Sequence, residues 1–297
     1  MSQKIGLIGL GAMGEVIATH LLEKKFYVSG YDIVPERGQK LEVLGLKNLG
    51  SVKAVASDAD ILITSLPSYS ALQQVIKEIS TADKSGKILL ETSTLEVSQK
   101  IEAGNFIASS KNIFLDAPIS GTTPLVKEMK GSIFVGGNKN AYEHCLPVIN
   151  AFTATNYYVG NVGDSTKMKY LANYLVFVHT VAAAECFTLG QKAGFEPAII
   201  HETLKSSAGS SRMFEQRGEM MANSDYRDGT AAVFNIYNKD ASIITEFAAK
   251  LHSPIDLFVS ARQKYNSASA QGLNYLEIAA VCKSIENSAG IKRDIVD

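Results

Sequence analysis

The stretch Ile5-Gly6-Leu7-Ile8-Gly9-Leu10-Gly11-Ala12-Met13-Gly14 decides the fold of this 297-residue chain. A short apolar strand runs directly into Gly-x-Gly-x-x-Gly, and a helical pattern follows to about Glu23. Strand, glycine loop and helix in this order are the fingerprint of dinucleotide binding. Gly9 permits the tight turn, Gly11 lets the backbone approach a pyrophosphate, and Gly14 lets the helix pack close to the strand. The N–H groups at the helix start then face the phosphate charge.

An acidic residue lies at the expected distance beyond the glycines. The second predicted strand, residues 27–31, is followed by Asp32. A carboxylate there can accept hydrogen bonds from both hydroxyls of an adenosine ribose and would repel a 2′-phosphate. Ile33 and Val34 follow and offer no cation, so NAD is favoured over NADP, although Arg37 is close enough in sequence to reach such a phosphate. The alternative is an ordinary strand–turn–helix with a solvated Asp32.

Composition limits the classes of function. The net charge of −1 provides no basic field for nucleic acid or an anionic membrane surface. Three cysteines, widely spaced and odd in number, indicate neither a disulfide framework nor a zinc site, and no other cluster has metal-ligand spacing, so no metal is expected. Only four residues precede the first apolar position of the strand, so we expect no signal or transit peptide. We therefore expect a cytoplasmic protein, unless the sequence is a processed form.

The first part of the chain alternates strand and helix patterns. Strands are predicted at residues 5–8, 27–31, 61–66, 87–90, 113–115 and 133–135, and helices at 35–44, 69–79, 95–109 and 140–152. Alternation of this kind predicts an α/β domain, a doubly wound parallel sheet of the Rossmann type. Ligands of such sheets lie beyond the carboxyl ends of the strands. We assign residues 1–162 to this domain.

The remainder, residues 163–297, is predicted to be an all-helical domain. It opens with a helix from Asp164 or Ser165 to about Ala193, and further helical patterns cover residues 197–205, 211–222, 236–251, 254–266 and 275–287. The first of these helices is long and apolar enough to raise the question of a membrane span. Polar residues interrupt it and no basic flank accompanies it, so a helix buried between domains or subunits fits better.

Three further stretches are candidates for chemistry. Asp116-Ala117-Pro118-Ile119-Ser120-Gly121 follows a strand, and the Ser120 hydroxyl with the Gly121 N–H can hold a small carboxylate; a plain turn is the alternative. Lys169 and Asn173 are four residues apart on one face of the long helix, where the amine and the amide could bind a substrate hydroxyl and exchange its proton. The alternative is a lysine that extends from a half-buried helix to solvent. Lys239-Asp240 is the third, with a solvated pair as its alternative.

These pieces, in this order, resemble the 3-hydroxyacid dehydrogenase family, which includes the 3-hydroxyisobutyrate dehydrogenases and, more distantly, 6-phosphogluconate dehydrogenase. The resemblance covers essentially the whole chain. Four motifs carry it: Gly9-Leu10-Gly11-Ala12-Met13-Gly14, Asp116-Ala117-Pro118-Ile119-Ser120-Gly121, Gly160-x-x-Gly163 followed by Lys169 and Asn173, and Lys239-Asp240.

The resemblance implies roles for these residues. Lys169 would be the general acid/base and Asn173 would orient the substrate. Ser120 and Gly121 would bind the substrate carboxylate, with Thr122 beside them in place of the family's usual second glycine. The cofactor would be lined by Gly9, Leu10, Gly11, Ala12, Met13, Gly14, Asp32, Leu66, Pro67, Thr94 and Lys239, with Lys239 near the nicotinamide.

Two other departures from the family concern the substrate side. Ala172 replaces the first member of the family's paired Asn-Asn. Residues 208–217 resemble the L-threonate dehydrogenase branch, but Arg212 stands where that branch usually has tryptophan. A cation there could contact a polyhydroxy acid or a second anionic group, or it could equally lie in solvent.

The implied reaction transfers a hydride from the alcohol carbon at position 3 to NAD while Lys169 takes the hydroxyl proton. A free lysine, with a pKa of about 10.4, is a poor base at neutral pH. Burial, Lys239 and the positive nicotinamide ring would lower that pKa, and alcohol oxidation should have an alkaline optimum.

Two rival functions remain. An imine reductase would share the fold but lack Lys169, and a non-catalytic dinucleotide-binding module would be expected to lose it. The helical domain is expected to bury surface against a second copy in a homodimer or homotetramer, because its long apolar helix would otherwise be poorly covered.

Overall fold

The computed structural model describes residues 3–227 and 234–295. The chain divides into two compact units, Met1–Lys169 and Tyr170–Asp297. This division falls inside the long helix, and the domain boundary after residue 162 stays a prediction.

In the described part of the first unit, residues 3–169, nine strands form one sheet, with helices between most of them. The strands are β1 (Lys4–Ile8), β2 (Tyr27–Tyr31), β3 (Lys47–Asn48), β4 (Ile61–Thr64), β5 (Ile88–Glu91), β6 (Ile113–Asp116), β7 (Ile119–Ser120), β8 (Ser132–Gly137) and β9 (Thr155–Gly160). The helices are α1 (Ala12–Glu23), α2 (Pro35–Glu42), α3 (Val52–Asp58), α4 (Tyr69–Ser80), α5 (Val97–Ser109), α6 (Thr123–Lys127) and α7 (Lys139–Phe152).

The sheet has the order β3-β2-β1-β4-β5-β6-β8-β7, and β9 pairs with β8. Strands β1 to β6 pair in parallel, which confirms the predicted doubly wound sheet. Strand β8 runs antiparallel to both β6 and β7 and parallel to β9. The predicted sheet was therefore too uniform, since it contained neither the antiparallel pairings of β8 nor the two-residue strands β3 and β7 nor strand β9.

The central strands are buried on both faces. Along β4, Ile61 and Ile63 lie in one apolar cluster with Ile5 and Leu7 of β1, whereas Leu62 lies in a second cluster on the other face. Successive strand residues point to opposite faces, so a strand covered by helices on both sides needs a continuous apolar run. This is why these segments read as short uninterrupted apolar stretches in the sequence.

Helix α8 (Asp164–Lys192) begins in the first unit and continues into the second, which also contains α9 (Pro197–Leu204), α10 (Arg212–Asn223), α11 (Phe234–Lys250), α12 (Asp256–Ala270), a 3-10 turn (Ile278–Ala280) and α13 (Val281–Ser288). The described part of this unit contains no strand, as the sequence predicted. Its core is aromatic: the Phe177 ring lies 5.1–5.2 Å, centroid to centroid, from Tyr237, Phe258 and Tyr265.

In residues 3–227 and 234–295, α8 is the one helix long and apolar enough to cross a membrane by length and composition. Of its most apolar stretch, 44% is buried within the protein. Core helices of globular proteins have the same composition, so this property is weak evidence for a membrane span.

Candidate functional site: the strand-end edge and helix α8

The glycine loop between β1 and α1 has two positions that only glycine can occupy. Gly9 has φ +90°, and a Cβ there would lie 2.2 Å from the carbonyl oxygen of Ser65. A Cβ on Gly14 would lie 2.0 Å from the carbonyl oxygen of Gly9. The first glycine is therefore required by the turn, and the third by the close packing of α1 on the loop.

The middle glycine leaves open space at the start of α1. A Cβ on Gly11 would meet only Nη1 of Arg37, at 3.8 Å. Gly11 is also the N-cap of α1 and provides no capping side chain. The N–H groups of the first helical turn are therefore not capped by a side chain at this position, which is the arrangement that binds a pyrophosphate at a helix N-terminus. The loop residues fit a dinucleotide.

Asp32, directly after β2, is buried and tightly held. Its Oδ2 accepts a hydrogen bond from the N–H of Leu10 at 2.7 Å, and its Oδ1 accepts one from the N–H of Val34 at 2.8 Å. Nη1 of Arg37 lies 3.3 Å and 3.4 Å from the two carboxylate oxygens. The first bond couples Asp32 to the glycine loop, and the last gives Arg37 a partner on the protein. A freely solvated Asp32 is thus not what the structure shows.

The remaining predicted cofactor residues of the first unit follow neighbouring strands. Leu66 and Pro67 lie just beyond β4, and Thr94 lies just beyond β5. The N–H of Leu66 donates to Oγ of Ser93 at 2.9 Å, which links the two strand ends. Their contact with a cofactor stays a prediction.

The predicted carboxylate site begins with a short strand. Ser120 ends β7, which pairs with β8 at Ser132, and Gly121 follows with φ +144°. Thr122 is the N-cap of α6 but makes no side-chain capping bond. Ser120, Gly121 and Thr122 are all half-buried, so they are partly accessible for the binding role that stays a prediction.

Lys169 and Asn173 lie one turn apart on α8, and each is less than 10% exposed. Lys167, in contrast, is exposed and forms an ion pair with Asp164 at 2.9 Å. The two lysines thus point in different directions, as their angular separation of about 200° predicts. Burial to this degree also disfavours the interpretation of Lys169 as a snorkelling surface lysine.

Asp240 is a site residue to which sequence reasoning gave no role of its own. It is buried on α11, and its Oδ2 accepts a hydrogen bond from Nδ2 of Asn173 at 2.9 Å. The neighbouring Lys239 is about half exposed, with its Nζ 3.6 Å from Oδ1 of Asp240. Asn173 and Asp240 are 67 residues apart. Local spacing carried no signal for this contact, although the Lys239-Asp240 motif marked the position.

The stretch that resembles the L-threonate dehydrogenase branch contains two arginines, which differ in their exposure to solvent. Arg212 is exposed at the first position of α10. Arg217 is buried, and its Nε and Nη2 donate to Oε1 of Glu277 at 2.9 Å and 2.7 Å. Arg217 is therefore engaged within the protein.

The described residues contain no group of three or more His, Cys, Asp or Glu side chains able to hold a metal ion.

Comparison with known proteins identifies the family. Residues 4–160 match the family model described as the NAD binding domain of 6-phosphogluconate dehydrogenase. Residues 163–285 match the model described as NAD-binding of NADP-dependent 3-hydroxyisobutyrate dehydrogenase. The chain belongs to the 3-hydroxyacid dehydrogenase family. This confirms the resemblance carried by the four motifs.

The similarity to known proteins covers nearly the whole length of this dehydrogenase. It is 28% identical to 2-(hydroxymethyl)glutarate dehydrogenase of Eubacterium barkeri, over 98% of this chain and 97% of that protein. It is 29% identical to L-threonate dehydrogenase of Cupriavidus necator, over 95% of this chain and 96% of that protein. A solved structure of 3-hydroxyisobutyrate dehydrogenase from Mycobacterium tuberculosis superposes with a TM-score of 0.85, at 22% identity over 96% and 99% of the two chains, and shows the same fold.

Imine reductases share this fold more distantly. That of a Pseudomonas species superposes with a TM-score of 0.61 at 19% identity, over 96% of this chain and 100% of that one. The family and its named members make the protein an NAD(P)-dependent oxidoreductase of the 3-hydroxyacid dehydrogenase type. It binds a nicotinamide dinucleotide.

Proposed function

We propose that this dehydrogenase transfers a hydride between the C3 carbon of a small 3-hydroxy carboxylate and NAD, with Nζ of Lys169 as the general acid/base. The observation that carries the proposal is the burial of Lys169 in the same unit as the glycine loop, on a helix that starts beside the carboxyl end of β6. An amine buried at a ligand-binding sheet edge is suited to exchange a proton with a substrate hydroxyl.

The other residues bind and orient. The glycine loop and Asp32 hold the dinucleotide, which supplies the hydride acceptor when bound. Nζ of Lys169 takes the hydroxyl proton in alcohol oxidation and returns it in reduction. Asp240 fixes the amide of Asn173 by accepting from its Nδ2, so that Asn173 can orient the substrate oxygen. Ser120 and Gly121 bind the carboxylate, with Thr122 beside them.

The preference for NAD rests on Asp32. The carboxylate is held at the end of β2 by backbone donors from Leu10 and Val34, so it cannot easily turn away from an incoming ribose. Its charge favours ribose hydroxyls and disfavours a 2′-phosphate. The pairing of Arg37 with Asp32 keeps that cation occupied. We expect kcat/KM with NAD to exceed that with NADP by at least about tenfold, and Asp32→Ser to reduce or invert the ratio.

The substrate is proposed to be a small hydroxy acid of the kind named for the relatives. Their names point to 2-(hydroxymethyl)glutarate and L-threonate, and the chain's motifs add 3-hydroxyisobutyrate. NAD reduction is measured with these three compounds and with 3-hydroxypropionate, serine and D-glycerate, each also with NADP, by the absorbance of the reduced nicotinamide. Turnover only with NADP would contradict the assignment of Asp32. No turnover with any compound, together with intact NADH binding, would favour the non-catalytic module, and reduction of cyclic imines would favour the imine reductase.

The role of Lys169 has a matched control two residues away. Lys169→Ala should lower kcat by at least about a thousandfold while leaving the Kd for NADH unchanged, because the proton acceptor is lost and the loop is not touched. Lys167→Ala removes an exposed lysine from the same helical turn and should retain wild-type kcat. Substantial turnover by Lys169→Ala would show that the acid/base role is wrongly assigned.

We also propose that α8 packs against a second copy of the chain in a homodimer or homotetramer. Met168, Leu171, Leu175 and Leu189 are exposed on α8, at spacings of three, four and fourteen residues that keep them on one side of the helix. Exposed apolar side chains in a row are typical of a helix that is covered by a partner. The cytoplasmic location stays a prediction.

A further inference from the structure

Three charged side chains form a fully buried cluster at the carboxyl ends of β5 and β6. Glu91 is the last residue of β5, Asp116 is the last residue of β6, and the two are register partners in the parallel pair. Lys100, in the second turn of α5, places its Nζ against Oε2 of Glu91 and 3.0 Å from Oδ1 of Asp116. The side chains of all three are 0% exposed.

Asp116 holds the start of α8. Its Oδ2 accepts hydrogen bonds from the backbone N–H groups of Gly163 and Thr166, each at 3.1 Å. The Thr166 hydroxyl lies 2.9 Å and 2.7 Å from its two oxygens. In addition, the Ser165 hydroxyl donates to the Asp116 carbonyl at 2.7 Å. The first turn of the long helix is thus tied to the end of a central strand by side chain and backbone together.

Lys100 and the N-terminus of α8 together compensate the negative charge of this cluster. Two carboxylates and one lysine leave one net negative charge in the interior, and it lies at the N-terminus of α8, where the helix dipole and free N–H groups favour an anion. Burial opposes ionisation of Asp116, yet the charge of Lys100 and the bond from Thr166 hold the pKa of Asp116 below its usual range. The carboxylate therefore remains ionised, as its hydrogen bonds to the helix require.

Lys169 lies directly beyond the tethered turn. A helical side chain leans toward the N-terminus of its helix and covers the turn that precedes its own Cα. For Lys169 that turn is formed by Ser165 and Thr166, the residues bound to Asp116. A shift or rotation of this turn would displace Nζ of Lys169 by a similar distance, and a displacement of about 1 Å can cost about a hundredfold in rate.

We propose that Asp116, which is paired with the buried Lys100, is a positioning residue that sets the direction of the Lys169 amine through Thr166. The proposal rests on the acid/base role of Lys169 given above. It assigns a purpose to the first residue of the Asp116–Gly121 motif: Asp116 is buried and bound to helix α8, whereas the substrate side of that motif begins at Ser120.

The test uses Thr166→Val and its matched partner Thr166→Ser. Valine keeps the shape of the side chain but removes the hydroxyl that donates to Asp116; serine keeps the hydroxyl and removes only a methyl group. Thr166→Val should lower kcat by at least tenfold, raise the solvent deuterium isotope effect on kcat, and leave the Kd for NADH unchanged. Thr166→Ser should stay within about threefold of wild type. Urea midpoints of both variants establish that they are folded under assay conditions.

A double mutant separates positioning from general structural damage. If Thr166 acts through Lys169, Thr166→Val should have no further effect on the residual single-turnover rate of Lys169→Ala. Wild-type kcat and isotope effect in Thr166→Val would overturn the proposal, as would an equal loss in the presence and absence of Lys169. The failure of the proposed function is a different result, since it requires Lys169→Ala itself to remain active.

Discussion

Lys100→Met removes the cation that lies between Glu91 and Asp116 and keeps an unbranched side chain of similar length. Two buried carboxylates then remain on neighbouring strand ends. Asp116 retains its donors from Gly163 and Thr166, whereas Glu91 retains a bond from the N–H of Ser93 to its other oxygen and loses its counter-charge. Because an isolated buried charge is costlier than a buried neutral carboxyl, we expect Glu91 to take up a proton in the folded variant.

The free-energy cost of keeping Glu91 protonated in the folded variant determines how much stability the substitution removes. The pKa of a glutamate in the unfolded chain is about 4.3, which is about 2.7 units below pH 7. At about 1.36 kcal/mol per unit, the free energy of unfolding should fall by about 3.7 kcal/mol at pH 7 and by about 1 kcal/mol at pH 5. The sign follows from proton binding: the folded variant binds one proton more than the unfolded chain in this range, so its stability falls as pH rises. The value at pH 7 agrees with the about 3–5 kcal/mol usual for breaking a buried ion pair.

The assay is urea unfolding at pH 5 and pH 7, followed by far-ultraviolet circular dichroism because the chain contains no tryptophan. Lys130→Met is the control, since it removes a cation from an exposed pair with Glu128 and should change the free energy of unfolding little at either pH. Adding Glu91→Gln to Lys100→Met should restore most of the stability at pH 7. A loss that is equal at both pH values, or no larger than that of the control, would refute the reasoning.

Three further outcomes are expected. Gly14→Ala should weaken NADH binding, measured by nicotinamide fluorescence, by at least tenfold, because the new Cβ would lie 2.0 Å from a carbonyl oxygen of the glycine loop; unchanged affinity would contradict this. Leu175→Asp should dissociate the proposed oligomer in sedimentation velocity, since it places a charge on the exposed apolar side of α8; an unchanged sedimentation coefficient would exclude that face. Burial raises the pKa of the Cys145 thiol to about 12 and also raises that of Cys282, so a thiol reagent should leave both thiols unmodified in the native protein and modify them in urea.

The sequence predicted the strands that are buried on both faces and failed for the short or edge strands. Strand β4 was expected at residues 61–66 and lies at Ile61–Thr64, because a continuous apolar run is a strong signal. Strand β3 has two residues, too few to show a period. Strand β7 lies in a stretch whose composition equally favours a turn, and it is a strand because β8 pairs with it. Pairing partners are not encoded locally, so neither β7 nor the antiparallel direction of β8 was predictable.

By itself, the sequence determined the glycine loop and its place between β1 and α1. The conformations that Gly9 and Gly14 permit are properties of the local backbone, and they can be read from residue identity and spacing. The same holds for Lys169 and Asn173, whose common face follows from the helical period.

Only the tertiary structure decided which charged residues are buried and with which partners. Glu91, Lys100 and Asp116 come from two strand ends and a helix, and Asp240 meets Asn173 across 67 residues. In the sequence, each of these residues is of a polar or charged type that usually lies on the solvated surface. Burial of a charge is tolerated only where distant parts of the chain bring compensating groups within hydrogen-bonding distance, and that proximity is a property of the folded chain alone.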